Sequence, residues 1–256
     1  MPTPKKSLGQ HWLFDSKSLG AMCEAADVGP DDTVLEIGPG LGPLTIELTQ
    51  RAKKVIAVEL DEQLASELPA RVGATNLQVF NEDILQFNLA KLPKIYKVVA
   101  NVPYYITSNL VRFLLEAPNP PAVIAMLVQK EVAERLAAAP GTMSILTISA
   151  QLYAHVTLGI VVTADKFDPP PKVDSQIVIL TRRQTPLFKN LDTKKFFRVV
   201  KAGFGEKRKT LRNSLSGGLQ LSKTEVEALL KKANITQNAR AQQLTLEEWY
   251  RLAGFI

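Results

Sequence analysis

The feature that most constrains the fold is a regular alternation of Val- and Ile-rich runs with helix-like segments. The strand-like runs cover residues 34–37, 55–59, 77–80, 97–100 and 122–128, and helix-like segments separate the first four. Because consecutive parallel strands need helical crossovers, this pattern predicts an α/β fold with a parallel sheet covered on both faces. Two later runs, at residues 156–162 and 176–181, bring the predicted strands to seven.

The last third of the chain has a different pattern. Helical periods occur at residues 194–203, 210–215, 224–232 and 245–253, and Gly217 with Gly218 is interpreted as a break between helices. Residues 184–256 carry 14 Lys and Arg against 6 Asp and Glu, whereas residues 1–183 carry 17 against 19. The sequence therefore predicts one domain at residues 1–184 and a small, basic, helical domain at residues 185–256. Such a domain is typical of proteins that bind RNA, DNA or an anionic membrane, but a merely solvated domain has the same charge.

An uncharged stretch at residues 136–164 is long enough to cross a bilayer. Pro140, Gly141, Gln151 and His155 interrupt it, and a helical period gives way to a β-rich run, so we expect a buried helix followed by a strand. Cys23 is the single cysteine, which excludes an intrachain disulfide and a cysteine-based zinc site. We therefore expect a cytoplasmic protein.

A glycine-rich turn follows the first predicted strand. Gly38, Gly40 and Gly42 are spaced Gly-x-Gly-x-Gly, and glycine permits close approach of the backbone to a ligand. The dinucleotide-binding fingerprint is Gly-x-Gly-x-x-Gly, so the motif differs from it. Taken alone, the motif is also compatible with a tight turn that binds nothing.

Polar side chains follow the next three strands. Glu59 ends the second strand, where a carboxylate can accept hydrogen bonds from two ribose hydroxyls. Asp83 follows the third strand and could accept a hydrogen bond from an adenine amine, and Asn101 follows the fourth. Because ligands bind at the carboxyl ends of parallel strands, we expect these residues in one site. Individually, Glu59 could be a solvated strand end and Asp83 a helix cap.

The segment from Asn101 to Tyr104 suits methyl transfer to the amine of an aromatic base. The lone pair of adenine N6 is delocalised into the ring, and acceptors that hold both amine hydrogens localise it. The Asn101 side-chain oxygen and the Val102 carbonyl are candidates, because Pro103 fixes φ and has no competing N–H. Tyr104 offers a ring face on which a base can stack. The alternative is an ordinary Asn-x-Pro turn.

Six segments occur in a characteristic order. They are Gly9-Gln-His-Trp-Leu13, Glu36-Ile-Gly-Pro-Gly-Leu-Gly42, Asn101-Val-Pro-Tyr104, Gln129-Lys-Glu131, Phe167-Asp-Pro-Pro-Pro-Lys-Val-Asp-Ser175 and Arg208-Lys-Thr-Leu-Arg-Asn-Ser214. In these segments the chain resembles the KsgA-type rRNA adenine dimethyltransferases. The resemblance implies a seven-stranded Rossmann-like methyltransferase sheet with a helical C-terminal domain. It also implies S-adenosylmethionine as donor and two adjacent adenines in the 3′-terminal hairpin of small-subunit rRNA as acceptors.

The same resemblance implies a set of donor-binding positions. They fall on His11, Leu13, Gly38, Glu59, Asp83 and Asn101, and the glycine spacing adds Gly40. His11 stands where the family has asparagine. His11 and His155 are isolated in the sequence, so no metal site is expected.

RNA contacts are predicted at two places. Lys207, Arg208, Lys209 and Arg212 form a basic cluster that is expected to contact phosphates. Phe167, together with Tyr104, is expected to clamp a splayed base.

Two other functions are compatible with the same motifs. One is a large-subunit rRNA adenine methyltransferase of the macrolide-resistance type. The other is a non-catalytic RNA-binding factor for ribosome assembly or transcription. The expected partner is rRNA in an immature small subunit, bound by a monomer.

Overall fold

The computed structural model describes residue 5 and residues 9–206 and 208–256. The chain divides into two compact units, the first comprising Met1–Glu134 and Ala154–Arg182 and the second comprising Arg135–Tyr153 and Arg183–Ile256. The second unit therefore includes a segment, residues 135–153, that the sequence analysis assigned to the first domain. The reason is tertiary, because Ile148 and Leu152 of this segment are buried in the hydrophobic core of the C-terminal helices.

A seven-stranded mixed sheet forms the centre of the first unit, as the sequence predicted in strand number. Its strands are β2 (Thr33–Ile37), β3 (Lys54–Glu59), β4 (Leu77–Asn81), β5 (Lys97–Asn101), β6 (Val123–Gln129), β7 (Ala154–Val162) and β9 (Ser175–Arg182). The spatial order is β4-β3-β2-β5-β6-β9-β7. The pairs among β2 to β6 are parallel, whereas β9 is antiparallel to both β6 and β7, so the sheet is not wholly parallel. Two further short strands, β1 (Trp12–Leu13) and β8 (Phe167–Asp168), pair with each other.

Helices flank or connect the parallel strands of the first unit, except between β4 and β5, where the only helical element is the short 3₁₀ turn Leu89–Lys91 and the expected helix is absent. The helices are α1 (Ser16–Ala25), α2 (Pro43–Arg51), α3 (Glu62–Val72) and α4 (Thr107–Leu115), and α5 (Lys130–Leu136) leads into the second unit. Asp15 and Asp61 cap α1 and α3 by accepting hydrogen bonds from backbone N–H groups of the first turn. Gly42, at φ 92°, precedes α2, and Pro43 occupies its first turn, where a missing N–H costs nothing.

The strand register places four carboxyl ends side by side. Ile37, the last residue of β2, pairs with Val58 on one side and Ala100 on the other. Glu59, at the end of β3, pairs with Asn81 at the end of β4. The polar residues that follow these strands are thereby brought to one edge of the sheet.

The second unit is helical. Its helices are α6 (Ile145–Tyr153), α7 (Thr193–Phe204), α8 (Leu211–Leu219), α9 (Lys223–Lys232) and α10 (Leu246–Gly254). Phe196 and Trp249 are fully buried at its core. Ser222 with Glu225 and Thr245 with Glu248 form capping boxes, which explains why α9 and α10 begin where they do.

The sequence interpretation of Gly217 and Gly218 as a break is wrong, because both lie inside α8. A Cβ on Gly218 would lie 2.7 Å from the Ala202 Cβ and 2.9 Å from its Cα, whereas a Cβ on Gly217 would have no neighbour within 4 Å. Gly218 therefore serves the close approach of α7 and α8 rather than a turn.

The uncharged stretch divides into α6 followed directly by β7, which confirms the expected helix and strand. Within the described residues, no helix is both long enough and apolar enough to span a bilayer.

Candidate functional site

A cavity of about 370 Å³ lies at the carboxyl ends of β2, β3 and β5 in the first unit. Its lining includes Gly38, Gly40, Glu59, Asp83 and Asn101, all predicted from the sequence. Residues 9–13 and 102–106 complete the walls. The fold thus brings the segment around His11 to the end of β5, although His11 and Asn101 are 90 positions apart in the chain.

The glycine-rich turn has the backbone conformation that its composition predicts. Gly38 and Gly40 have φ values of 67° and 59°, a region that other residues rarely adopt. A Cβ on Gly40 would lie 3.3 Å from the indole ring of Trp12, so a side chain here would crowd the cavity wall. The turn therefore leaves space that a ligand can use.

Glu59 is held in place by backbone donors. Its Oε2 accepts a hydrogen bond from Gly40 N–H at 3.0 Å, and its Oε1 accepts one from Asp61 N–H at 2.9 Å. The residue is buried, and burial raises the pKa of its carboxyl group above the ordinary range despite these donors. Glu59 is thus a fixed acceptor at the end of β3 and not a solvated strand end.

Glu36 also lines the cavity, and the sequence analysis did not single it out as a functional residue. It is 1% exposed, and neither carboxylate oxygen has a hydrogen-bond partner among the described residues. Burial raises the pKa of Glu36 to about 8; the nearby Thr45 hydroxyl lowers it, although too poorly placed for a hydrogen bond, and repulsion from the Glu59 carboxylate raises it. The sequence did contain an indication of its role, because an acidic residue within the apolar run of β2 is costly to bury and therefore indicates a function.

Asp83 lines the cavity and also stabilises the turn that follows β4. Its Oδ1 accepts a hydrogen bond from Leu85 N–H at 2.9 Å. The capping and ligand-facing interpretations of Asp83 are therefore compatible, since one carboxylate has two oxygens.

Asn101 ends β5 with its side chain directed by the N-terminal segment. Its Nδ2 donates a long hydrogen bond, 3.5 Å, to the carbonyl oxygen of His11. This orientation leaves the Oδ1 of Asn101 as an acceptor in the cavity. Val102 is buried, and Pro103, at φ −55°, precedes the short helical turn Tyr104–Ile106.

Tyr104 is fixed at both ends. Its hydroxyl forms a hydrogen bond with Ser175 Oγ at 2.8 Å, and its ring stacks on that of His11 with centroids 6.1 Å apart and an interplanar angle of 19°. Burial raises the pKa of the Tyr104 hydroxyl. His11 Nδ1 lies 2.7 Å from the carbonyl oxygen of Pro169, and because a carbonyl only accepts, Nδ1 carries the hydrogen. His11 therefore links the segment after β5 with the segment after β8.

The predicted site residues Leu13 and Phe167 lie in different surroundings. Leu13 lines the cavity and is 2% exposed. Phe167 pairs with Leu13 across the β1–β8 ladder, is 5% exposed and belongs to the hydrophobic core of the first unit. The expected clamp role of Phe167 is thus not supported, because its ring packs among apolar side chains and offers no face to a base.

The predicted basic cluster is partly neutralised within the second unit. Arg212 pairs with Glu227 at 2.6 Å and Lys209 pairs with Glu206, whereas Lys207 lies outside the described residues. Arg208 is exposed. The cluster therefore carries less free positive charge than its sequence suggests.

A second basic surface lies on α7. Lys194, Arg198 and Lys201 are exposed, and none of them forms an ion pair within the described residues. Their spacing of four and three residues places them on one helical face. The sequence analysis missed this surface, although its periodicity was readable.

No group of three or more His, Cys, Asp or Glu side chains suited to a metal ion occurs in the part of the chain that the structure describes. Two of the acids that line the cavity, Glu59 and Asp83, instead accept hydrogen bonds from backbone N–H groups.

The chain is similar to characterised proteins over nearly its full length. The family model for ribosomal RNA adenine dimethylase matches residues 1–256. The ribosomal RNA small subunit methyltransferase A of Dehalococcoides mccartyi is 44% identical over 97% of this chain and 87% of its own length. The protein of the same name from Alkaliphilus oremlandii is 39% identical over 97% of this chain and 90% of its own length.

Two solved structures resemble the fold closely. The 23S rRNA methyltransferase ErmE is 33% identical with a TM-score of 0.77, covering 95% of this chain and 98% of that protein. A dimethyladenosine transferase from Plasmodium falciparum is 29% identical with a TM-score of 0.79, covering 94% and 95% of the two chains.

Proposed function

The chain belongs to the ribosomal RNA adenine dimethylase family, and from this membership we propose that it transfers methyl groups from S-adenosylmethionine to N6 of two adjacent adenines of small-subunit rRNA. The observation that carries the proposal is the cavity in which Asn101, Glu59 and the glycine-rich turn converge. A family resemblance alone would not require these groups to meet.

The small subunit is favoured over the large subunit as substrate by the comparisons. Relatives named small subunit methyltransferase A are 39% and 44% identical, whereas the 23S rRNA methyltransferase ErmE is 33% identical. The segment from Phe167 to Ser175 and the segment from Arg208 to Ser214 point in the same direction.

The residues of the cavity fit the donor. S-adenosylmethionine supplies a methyl group on a sulfonium centre and carries an ammonium group and a ribose. Glu36 offers a buried carboxyl group with no hydrogen-bond partner among the described residues, and its ionised form is costly unless it meets a cation or a donor. Glu59 is positioned for ribose hydroxyls, and Gly38 with Gly40 keeps the space clear of side chains.

The acceptor amine would be held at the end of β5. The Oδ1 of Asn101 and the carbonyl of Val102 accept the two amine hydrogens and localise the nitrogen lone pair. Tyr104 is locked by His11 and Ser175, so the base stacks against a ring that is already positioned. Catalysis then rests on positioning and on hydrogen bonds to the amine, and no general base is required.

We further propose that the protein acts as a cytoplasmic monomer on rRNA within the immature small subunit. Electrostatics supports the RNA contact, because residues 184–256 carry an excess of eight positive charges. Exposed Arg208 and the basic face of α7 are the candidates for phosphate binding.

The test compares Asn101→Ala with Glu59→Ala. Asn101→Ala is expected to reduce single-turnover methylation of immature small subunits by about 10²- to 10³-fold at saturating donor, since a preorganised hydrogen-bonding group is removed from the transition state. Glu59→Ala is expected to weaken donor binding in calorimetry and to be rescued in part by excess donor.

Near-normal dimethylation by Asn101→Ala would remove that side chain from the acceptor site. Absence of methylation by the wild-type protein would instead favour a non-catalytic assembly factor.

A further inference from the structure

A second depression, of about 560 Å³, adjoins the catalytic cavity on the first unit. Asn109 lines both, so the two form one continuous surface. Its walls come from the segment Phe87–Ala90 and from α4 with the residues that follow it. No step of the proposed methyl transfer uses this depression.

The exposed face of α4 connects the two spaces. Tyr105, Asn109 and Arg112 follow one another at intervals of four and three residues, which places them along one side of the helix and the turn before it. Tyr105 is 62% exposed and lines the catalytic cavity, whereas Arg112 lines the second depression. An aromatic ring, an amide and a guanidinium therefore lie in a row leading away from the acceptor site.

The groups in the depression match the chemistry of a nucleotide. Phe113 is half-buried and supplies an aromatic wall against which a base can stack. Asn109 is exposed, and its amide has no hydrogen-bond partner within the described residues. Within the described residues Arg112 pairs with Glu116 alone, one turn away, through two long hydrogen bonds of 3.3 and 3.4 Å on the surface, and such an exposed pair can yield to a phosphate.

We propose that this depression binds the nucleotide next to the acceptor adenine, with its base against Phe113 and its phosphate at Arg112. The inference rests on the proposed function, because two adjacent adenines are modified and one must be accommodated while the other occupies the catalytic cavity. The depression is thus a holding site that determines which sequence beside the acceptor is accepted.

The experiment measures coupling between protein and RNA. Three kinds of immature small subunit are compared: one carries two adjacent adenines, and the other two carry one adenine with uridine on its 5′ or its 3′ side. The second-order rate constant for methylation of an adenine is measured with an adenine neighbour and with a uridine neighbour. The wild-type protein is expected to favour an adenine neighbour on one side by about tenfold, because a purine stacks better on an aromatic wall than uracil does. Phe113→Leu, which keeps apolar bulk, is expected to lose that preference while retaining donor affinity.

Arg112→Gln provides a second variant on the protein surface. It is expected to lower RNA affinity for all three substrates alike and to reduce the log–log salt slope by roughly 0.7, the value for one neutralised phosphate of a single strand. Glu116→Gln is the matched control, since it breaks the same ion pair and leaves the arginine free, so RNA affinity should hold or rise.

The proposal is overturned if Phe113→Leu keeps the wild-type neighbour preference, or if wild type shows none. If Phe113→Leu fails to fold, an Arg112→Gln variant with an unchanged salt slope overturns it. A wild-type protein that methylates none of the substrates defeats the proposed function itself, which is a distinguishable result.

Discussion

At the scale of single residues, the two glutamates Glu36 and Glu59, which both line the cavity, show how the same side chain acquires different properties. Glu59 accepts two backbone hydrogen bonds, whereas Glu36 has no partner among the described residues. Both carboxyl groups have raised pKa values because of burial, but only Glu59 has backbone donors that stabilise its charged form. Glu36 is therefore expected to contribute to the pH dependence of stability.

We predict that Glu36→Gln flattens the pH dependence of stability. The pKa of Glu36 is raised from 4.5 to about 8 in the folded chain, so the folded state holds a proton that the unfolded state releases above pH 4.5. The stabilisation is complete below pH 4.5 and disappears as the pH rises through about 8. Between these values the wild-type free energy of unfolding should fall by up to about 1.4 kcal/mol per pH unit relative to Glu36→Gln.

Urea denaturation at several pH values between about 5 and 8 checks this prediction. Glu62→Gln, an exposed acid in the first turn of α3, is the control and should keep the wild-type dependence. Parallel curves for wild type and Glu36→Gln would contradict the assignment.

His11→Asn is predicted to retain donor binding and most of the methyl transfer. An asparagine amide can donate to the Pro169 carbonyl as the imidazole Nδ1 does, although it cannot reproduce the stacking on Tyr104. His11→Ala removes both interactions and should lower the transfer rate more than His11→Asn does. Calorimetry measures donor binding, and single-turnover methylation measures the transfer rate. An inactive His11→Asn variant would show that the imidazole has a role of its own.

At the scale of elements, the close approach of α7 and α8 is sensitive to small changes. Gly218→Ala is expected to destabilise the protein by about 1 to 3 kcal/mol, because the new methyl group would overlap Ala202. Gly217→Ala is a matched control one residue away, with open space around its Cβ. It should be neutral or stabilising by up to about 1 kcal/mol, since alanine favours a helix interior. The midpoint of thermal denaturation measures both effects, and equal midpoints for the two variants would contradict the packing argument.

At the scale of the whole molecule, the uneven charge distribution predicts a salt-sensitive interaction with RNA. Replacing Lys194, Arg198 and Lys201 together by glutamine should reduce the log–log salt slope of RNA binding by up to about 0.7 to 0.9 for each phosphate that is no longer neutralised. Arg212→Gln should change the slope less, because that guanidinium already pairs with Glu227. Filter binding at several salt concentrations provides the measurement, and an unchanged slope in the triple variant would make the α7 face a solvated surface.

For Lys207, Arg208 and Lys209 a phosphate role remains a prediction of the sequence.

The sequence by itself determined the seven strands of the sheet, most of the helices and the positions of Gly38, Glu59, Asp83 and Asn101 at the edge of the sheet, but it wrongly placed a helix between β4 and β5. The inferences that succeeded did so because they depend on local periodicity and on the rule that parallel strands share their carboxyl ends.

Only the tertiary structure decided the antiparallel direction of β9, the burial of Phe167 and the membership of α6 in the second unit. It also decided that Gly218 serves helix packing and that Arg212 is paired with Glu227. Each of these facts depends on which side chains meet across large sequence separations. A single sequence fixes what a residue can do, whereas its neighbours in space determine whether it packs, pairs or stays free to bind.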